Sequence, residues 1–139
     1  MKNLYQSSKL LSQQEFKRFE KAFKQAWIKD TAYPDAKEEW SKNNKALGQC
    51  VLTALIIYDL YGGRLILDKV NFHIWNELPD GTQQDFSRCQ FKEERIFTVT
   101  KYKTQEDVLY DETGQRTKIL PRYQLLKQRF EEALKRLEG

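Results

Sequence analysis

The feature that most constrains the fold is the apolar run from Val51 to Tyr61, which carries hydrophobic side chains almost all the way around a helix. A helix of this kind must be covered on every side, so it belongs inside a packed domain. Gly62-Gly63 follows directly, and two glycines predict a turn that ends the helix. Cys50 precedes the run, which places this cysteine in the first turn of the buried helix.

Two amphipathic helices are predicted near the ends of the chain. Ser12 begins a capping box, and an apolar stripe at helical spacing continues from there to about Ile28. Pro121 suits the first position of a C-terminal helix whose apolar stripe reaches Leu137. A chain of this length can bury about 70% of its unfolded surface, so residues 1–139 are expected to form a single domain without disulfides.

The middle of the chain predicts a small antiparallel sheet. The segment from Phe72 to Leu78 is rich in the aromatic and branched side chains that strands favour. Leu78-Pro79-Asp80-Gly81-Thr82 is a typical turn sequence, and its geometry pairs Leu78 with Thr82 in a hairpin. Together with the helices, these strands indicate an α+β class. The other predicted strands are Arg64–Val70, in which Leu65 and Leu67 alternate with Arg64, Ile66 and Asp68, then Thr82–Ser87 and Arg95–Tyr102.

Composition argues against several functional classes. The soft ligands are Cys50, Cys89 and His73, which lack the close paired spacing of a zinc site, so no metal or other cofactor is expected.

No stretch is long and apolar enough for a membrane span, and the first residues lack the apolar core of a secretory signal, which favours a cytoplasmic protein with no membrane partner. The formal net charge is +4, but bases and acids are interleaved, so nucleic acid is not the expected partner. A weak acidic partner stays open.

Cys50, His73 and Asp85 are the candidate catalytic residues. A thiol is a good nucleophile as its thiolate, which the N-terminus of a helix stabilises. In a strand that starts at Phe72, His73 and Trp75 share one face, and the hairpin register puts Asp85 opposite Trp75 and diagonal to His73. An imidazole that takes the thiol proton and a carboxylate that orients the imidazole would complete a Cys-His-Asp triad.

Each of these residues also has an ordinary structural role. A cysteine in an apolar helix is typically a small buried hydrophobe, and a lone histidine is often a satisfied core residue. The Gln49 amide could join the Cys50 backbone N–H in stabilising an oxyanion, or it could satisfy local loop groups. Trp75 could form a wall of the cleft, or its indole could fill the core.

The middle of the chain also resembles known proteins. The order of three motifs resembles that of the papain-like and transglutaminase-like cysteine superfamily. These motifs are Cys50 at a helix start, then His73-Ile74-Trp75, then Gln84-Asp85-Phe86-Ser87. More closely, residues 40–91 resemble the YunG-like family, a small bacterial family whose members are poorly characterised. The residues that carry this resemblance are Trp40-Ser41, Gly48-Gln49-Cys50, Thr53-Ala54-Leu55, Asp59, Gly62-Gly63, His73-Ile74-Trp75-Asn76, Leu78-Pro79-Asp80-Gly81, Asp85, Gln90-Phe91 and, more weakly, Arg122-Tyr123-Gln124-Leu125-Leu126.

The resemblance implies a papain-like/transglutaminase-like core, in which the helix bearing Cys50 packs on a small antiparallel sheet between N- and C-terminal helices. It implies a cysteine-dependent hydrolase or acyltransferase that acts on a carboxamide, peptide or thioester carbonyl of a protein or small molecule. Cys50 would be the nucleophile, His73 the base and then the acid, and Asp85 the orienting group. Hydrolysis and transamidation both stay open, as does a catalytically silent regulatory or protein-interaction domain on the same scaffold.

Overall fold

The helices and strands follow one another in the α+β order that the sequence predicts. The structure, a computed structural model, describes residues 11–138. Residues 1–10, on which the expectation about a secretory signal rests, and Gly139 lie outside that range. Among residues 11–138, no helix combines the length and the apolar character needed to cross a bilayer. The helices are α1 (Gln13–Ala26), α2 (Cys50–Tyr61), α3 (Gln105–Tyr110), α4 (Glu112–Arg116) and α5 (Ile119–Glu138), and the strands are β1 (Arg64–Asp68), β2 (His73–Glu77), β3 (Gln83–Gln84) and β4 (Lys101–Lys103).

Helix α2 occupies the centre of the domain, as its apolar surface requires. It packs against β2 of the sheet and against α5. Leu52, Leu55 and Ile57 have no exposed surface. Gly62 caps its end, and at the next residue, Gly63, φ is +87° and an added Cβ would lie 2.1 Å from the carbonyl oxygen of Glu77. Only glycine allows the chain to leave the helix and enter β1 so close to β2.

The flanking helices α1 and α5 pack against each other and cover α2. The Ser12 side chain caps α1 by accepting a hydrogen bond from the Glu15 backbone N–H at 3.1 Å, which confirms the predicted start. The rings of Phe23 and Phe130 stack across the α1–α5 contact with their centroids 4.2 Å apart. Helix α5 begins two residues before Pro121, so the proline lies within its first turn. The buried side of α5 is formed by Ile119, Arg122, Tyr123, Leu126, Phe130 and Ala133.

The four strands form one antiparallel sheet in the order β3-β2-β1-β4. The predicted hairpin register is confirmed, because Asn76 pairs with Gln84 and the Leu78 N–H donates to the Thr82 carbonyl at 2.8 Å. The third strand, predicted to reach Ser87, is only two residues long. It stops because the carboxylate of the next residue, Asp85, accepts hydrogen bonds from the Ser87 N–H and hydroxyl and turns the chain away.

Strand β1 is covered on both faces, contrary to the alternation expected from its sequence. Ile66 and Asp68 have no exposed surface. The segment 92–100 crosses over their face of the sheet before it joins the edge as β4, so most of the predicted strand Arg95–Tyr102 is not paired. The Asp68 carboxylate holds this crossing by accepting from the Thr98 N–H at 3.0 Å, and it also accepts from the Asn71 side-chain amide at 2.7 Å.

Two glycines with nearly the same backbone conformation test how the α2–β1 turn is built. Gly63 and Gly81 have φ of +87° and +89°, but a Cβ at Gly81 would meet nothing within 4 Å. We expect Gly63→Ala to lower the free energy of unfolding by at least about 3 kcal/mol, because strain and a backbone clash combine. The matched Gly81→Ala variant should lose only about 1 kcal/mol from strain alone. Urea denaturation of both variants measures the difference, and equal losses would contradict the close approach of Gly63 to Glu77.

Candidate active site

Cys50 is the first residue of α2 and is half-buried. The chain reaches it through Gly48, whose φ of +75° turns the backbone so that its carbonyl accepts from the Tyr33 N–H at 2.8 Å. The first turn of α2 contains no acidic residue. The thiol therefore lies at the positive end of a helix with no carboxylate from that turn to oppose a thiolate.

His73 is the first residue of β2, and its side chain has no exposed surface. Its Nε2 atom lies 2.6 Å from Oδ2 of Asp85. The Trp75 ring stacks on the imidazole with centroids 5.6 Å apart, and the rings of Phe91 and Phe97 close two further sides at 5.0 and 5.5 Å. The imidazole is thus held by one charged hydrogen bond and enclosed by aromatic surfaces.

Cys50, the third predicted member of the triad, also influences the pKa of this imidazole. Burial by itself would lower the pKa of His73, but the hydrogen bond with Asp85 and the hydrogen bond and charge of Cys50 outweigh it and raise the pKa to about 9. The structure therefore joins His73 to Asp85 by a 2.6 Å contact across 12 positions of the sequence, and the effect of Cys50 on the pKa of His73 indicates that its thiol lies near the same ring. A raised imidazole pKa favours transfer of the thiol proton to the ring.

Asp85 is charged and fixed in orientation. Burial by itself would raise the pKa of its carboxyl, but the hydrogen bond and charge of His73, followed by those of Arg88, hold the pKa below its usual range. The Arg88 Nε atom donates to Oδ2 at 2.6 Å, and its guanidinium lies 3.6 Å from the centre of the Phe97 ring. The carboxylate is therefore held from two sides, by the imidazole and by a guanidinium that is itself stacked on an aromatic ring.

Gln90 contacts the imidazole on its other nitrogen, a role that the sequence did not reveal. Its Nε2 atom lies 3.1 Å from Nδ1 of His73, and its Oε1 atom accepts from the Gly48 N–H at 3.4 Å. The second contact fixes which end of the amide faces the ring, so in the neutral imidazole Nδ1 is the acceptor and Nε2 carries the proton. When Nδ1 is protonated, the Gln90 amide must turn away. The resemblance included Gln90, but nothing in the sequence shows that the short turn Arg88–Gln90 returns the chain to His73.

Gln49 and Trp75, the two predicted cleft residues, lie in enclosed surroundings. The Gln49 carboxamide has no exposed surface. Its polar atoms are satisfied inside the protein, since it accepts from the Thr31 hydroxyl at 2.8 Å and donates to the Ile28 carbonyl at 2.9 Å. This is the loop-satisfying role that the sequence allowed as its alternative. The Trp75 indole is 3% exposed and donates to Oε1 of Gln83 at 2.9 Å. A direct part in catalysis stays a prediction for both residues.

A shallow cavity of about 400 Å³ adjoins the aromatic side of the site. It shares Arg88, Phe91 and Phe97 with the surroundings of His73, but neither Cys50 nor His73 lines it. Within residues 11–138, no group of three or more histidine, cysteine, aspartate or glutamate side chains is placed to hold a metal ion.

These features define a small α+β protein in which a strand histidine pairs with an aspartate and a cysteine begins the central helix. A family model described as "YunG protein" matches residues 15–135, so the chain belongs to the YunG family. The "Uncharacterized protein YunG" of Bacillus subtilis (strain 168) is 31% identical over 71 residues, which cover 50% of this chain and 56% of that protein. The match thus spans little more than half of the relative. No solved structure matches the chain significantly.

The His73–Asp85 pair predicts how stability changes with pH. Because the folded-state pKa of His73 is raised to about 9, the protonated ring stabilises the fold fully below its unfolded pKa of about 6.5. This contribution is lost as the pH rises through about 9. We expect the wild type to lose on the order of 2 kcal/mol of unfolding free energy between these pH values, beyond any loss in His73→Gln. Urea denaturation across this range measures it, and parallel curves for the two proteins would contradict the pair.

Proposed function

We propose that this protein is a cysteine-dependent hydrolase or acyltransferase that acts on a carboxamide, peptide or thioester carbonyl. The observation that carries the proposal is the placement of His73. Its ring interacts with Cys50 at the start of α2 while Asp85 holds its Nε2 atom at 2.6 Å. This arrangement supports the order of nucleophile, base and orienting group that nucleophilic catalysis by a thiol requires.

The roles of the three side chains follow from their contacts. Cys50 gives its proton to Nδ1 of His73, because Nε2 is occupied by Asp85, and the sulfur attacks the carbonyl carbon. The tetrahedral oxyanion lies near the first backbone N–H groups of α2 and collapses to a thioester as His73 protonates the leaving amine or thiol. Water or an acceptor amine then loses a proton to His73 and attacks the thioester. The sulfur leaves with that proton, and the acid or the new amide is released.

The same placement supports a papain-like/transglutaminase-like core as part of the proposal. The nucleophile begins a buried helix that packs on an antiparallel sheet, and the base lies on a strand next to that helix. The orienting acid comes directly after the neighbouring strand β3, in the order that the resemblance implies. The coarser α+β description is independent of this assignment.

One contact favours the second candidate, a silent regulatory or protein-interaction domain on the same scaffold. The Gln90 amide nitrogen lies 3.1 Å from Nδ1 of His73, the atom that would take the Cys50 proton. A catalytic protein must move this amide in each cycle, whereas a silent one could keep it in place. Measurements of thiol reactivity separate the two candidates.

Alkylation with iodoacetamide tests whether Cys50 is activated. We expect Cys50 to react at pH 6 at least about tenfold faster than an ordinary thiol with a pKa of about 8.5, because the imidazole accepts its proton. Cys89 is a reference in the same sample, since desolvation raises the pKa of its thiol. Mass spectrometry of peptides assigns the modified residue. His73→Ala should remove the advantage of Cys50, and an equal rate in a folded His73→Ala would support the silent domain.

The carboxylate is tested by a pair of matched substitutions on one hairpin. Asp85→Asn should slow the low-pH alkylation of Cys50 by about tenfold or more, because a neutral amide stabilises the imidazolium less. Asp80→Asn removes a carboxylate that accepts from Thr82 in the turn, and it should leave the rate unchanged. Equal effects of the two variants would exclude Asp85 as the orienting group.

Acyl transfer itself is tested with p-nitrophenyl acetate as a generic acyl donor. Wild-type protein should form an acetyl adduct on Cys50 and then release acetate, since His73 can activate water for the second step. Cys50→Ser should give no thioester, and a folded His73→Ala should give little adduct or retain it. Absence of a Cys50 adduct in the wild type would favour the non-catalytic candidate.

A further inference from the structure

Gln90 joins His73 to the segment that leads into α2. The Gln90 carbonyl accepts a hydrogen bond from the Asn44 side-chain amide at 3.0 Å, which ties its turn to this segment. The Gln90 side chain then makes two contacts, with Nε2 3.1 Å from Nδ1 of His73 and Oε1 3.4 Å from the Gly48 nitrogen. One carboxamide therefore bridges the imidazole and the backbone two residues before α2 begins.

The Gly48 N–H sets the orientation of this bridging amide. A backbone N–H can only donate, so the amide oxygen faces Gly48 and the NH2 group faces the ring. An NH2 group can donate to Nδ1 only while Nδ1 carries no proton. The bridge therefore fits a neutral imidazole whose proton is on Nε2, next to Asp85, and it does not fit the imidazolium.

The imidazole thus lies between groups that favour its second proton and groups that oppose it. Burial lowers the pKa of His73, whereas Asp85 and Cys50 raise it. The NH2 group of Gln90 acts in the same direction as burial, because a donor to Nδ1 stabilises the neutral ring. The other charged groups near the ring already have partners in the protein. They are Arg88 with Asp85, Asp68 with Asn71 and Thr98, and Arg95 with Glu93.

We propose that Gln90 is a positioning residue that couples the proton on His73 to the segment before Cys50. While Nδ1 is unprotonated, the amide joins the ring to the Gly48 N–H. When Nδ1 takes the thiol proton, the amide turns so that its oxygen accepts from the new N–H. Its NH2 group then faces the Gly48 N–H, and because both are donors, Gly48 loses this partner.

The role of this coupling in the reaction rests on the proposed function, because the proton concerned is the one that Cys50 gives up. His73 must first take this proton and then pass it to the leaving group. The contact with Asp85 favours keeping the proton on the ring. Gln90 favours its departure, since both contacts of the amide are restored once Nδ1 is free.

NMR titration of the imidazole nitrogens tests the coupling directly, since the chain has one histidine. Spectra of ¹⁵N-labelled protein between about pH 5 and about pH 11 give the midpoint of His73. Gln90→Glu keeps an acceptor for the Gly48 N–H and replaces the NH2 group with an acceptor for a protonated Nδ1. We expect this variant to raise the midpoint by about one pH unit or more, which is about a tenfold gain in proton affinity.

The matched control is Gln83→Glu on β3. The Gln83 carboxamide contacts the Trp75 indole, and that indole stacks on the imidazole, so this variant adds the same charge nearby without changing the contact at Nδ1. It should raise the midpoint by less than about a third of the Gln90→Glu shift, because the added charge is screened by water. An unchanged midpoint in a folded Gln90→Glu, or equal shifts in the two variants, would overturn the inference.

The Gly48 backbone amide gives a second readout that needs only the wild type and one uncharged variant. Its resonance should shift with the same midpoint as the His73 ring, because Gly48 loses its acceptor when Nδ1 is protonated. Gln90→Met has no amide and should abolish this shift. A Gly48 resonance that stays constant in the wild type, or that still follows His73 in Gln90→Met, would contradict the coupling.

These measurements remain informative whether or not the thiol is reactive. A coupled titration together with an unreactive Cys50 would keep the coupling and remove the proposed function. An activated Cys50 without the coupled titration would keep the proposed function and remove the role of Gln90.

Discussion

The hydrogen bond between His73 and Asp85 is the interaction on which the rest of the site depends. Neither side chain would be stable as a charged group at such depth alone, because burial opposes both charges. At 2.6 Å, each group stabilises the charged form of the other. Three features preserve this contact. They are the hairpin that brings the two residues together, the early end of β3 before Asp85, and the aromatic rings that enclose the imidazole.

The sequence was sufficient for the parts that depend on local rules. The Pro79-Asp80-Gly81 turn fixes the hairpin register, and that register places Asp85 diagonal to His73 before any coordinates are known. The apolar run that follows Cys50 predicts a buried helix, and the glycines after it predict the end of that helix. Each inference rests on contacts between residues that are close in sequence or joined by one tight turn.

The remaining features depend on how distant segments cross, which local patterns do not encode. Ile66 and Asp68 read as the exposed side of a strand, but the crossing of segment 92–100 buries them. Gln90 reaches His73 because a short turn folds back. Arg122 donates to the Thr31 carbonyl, 91 positions away, and no periodicity in either segment indicates that contact.

The segment 92–100, where it crosses the sheet, also controls how much water reaches the imidazole of His73. Phe97 from this segment covers the ring, and the Asp68 carboxylate anchors the crossing. Burial by itself would raise the pKa of Asp68, but hydrogen bonds from Asn71, Thr98 and Val70 lower this pKa to about 2. Asp68 therefore stays ionised across the physiological pH range and keeps its hydrogen bond with the Thr98 N–H. An insertion into this crossing would hydrate the ring and take away the burial that lowers the imidazole pKa, so evolution could tune this nucleophile's reactivity without altering any residue that touches the sulfur.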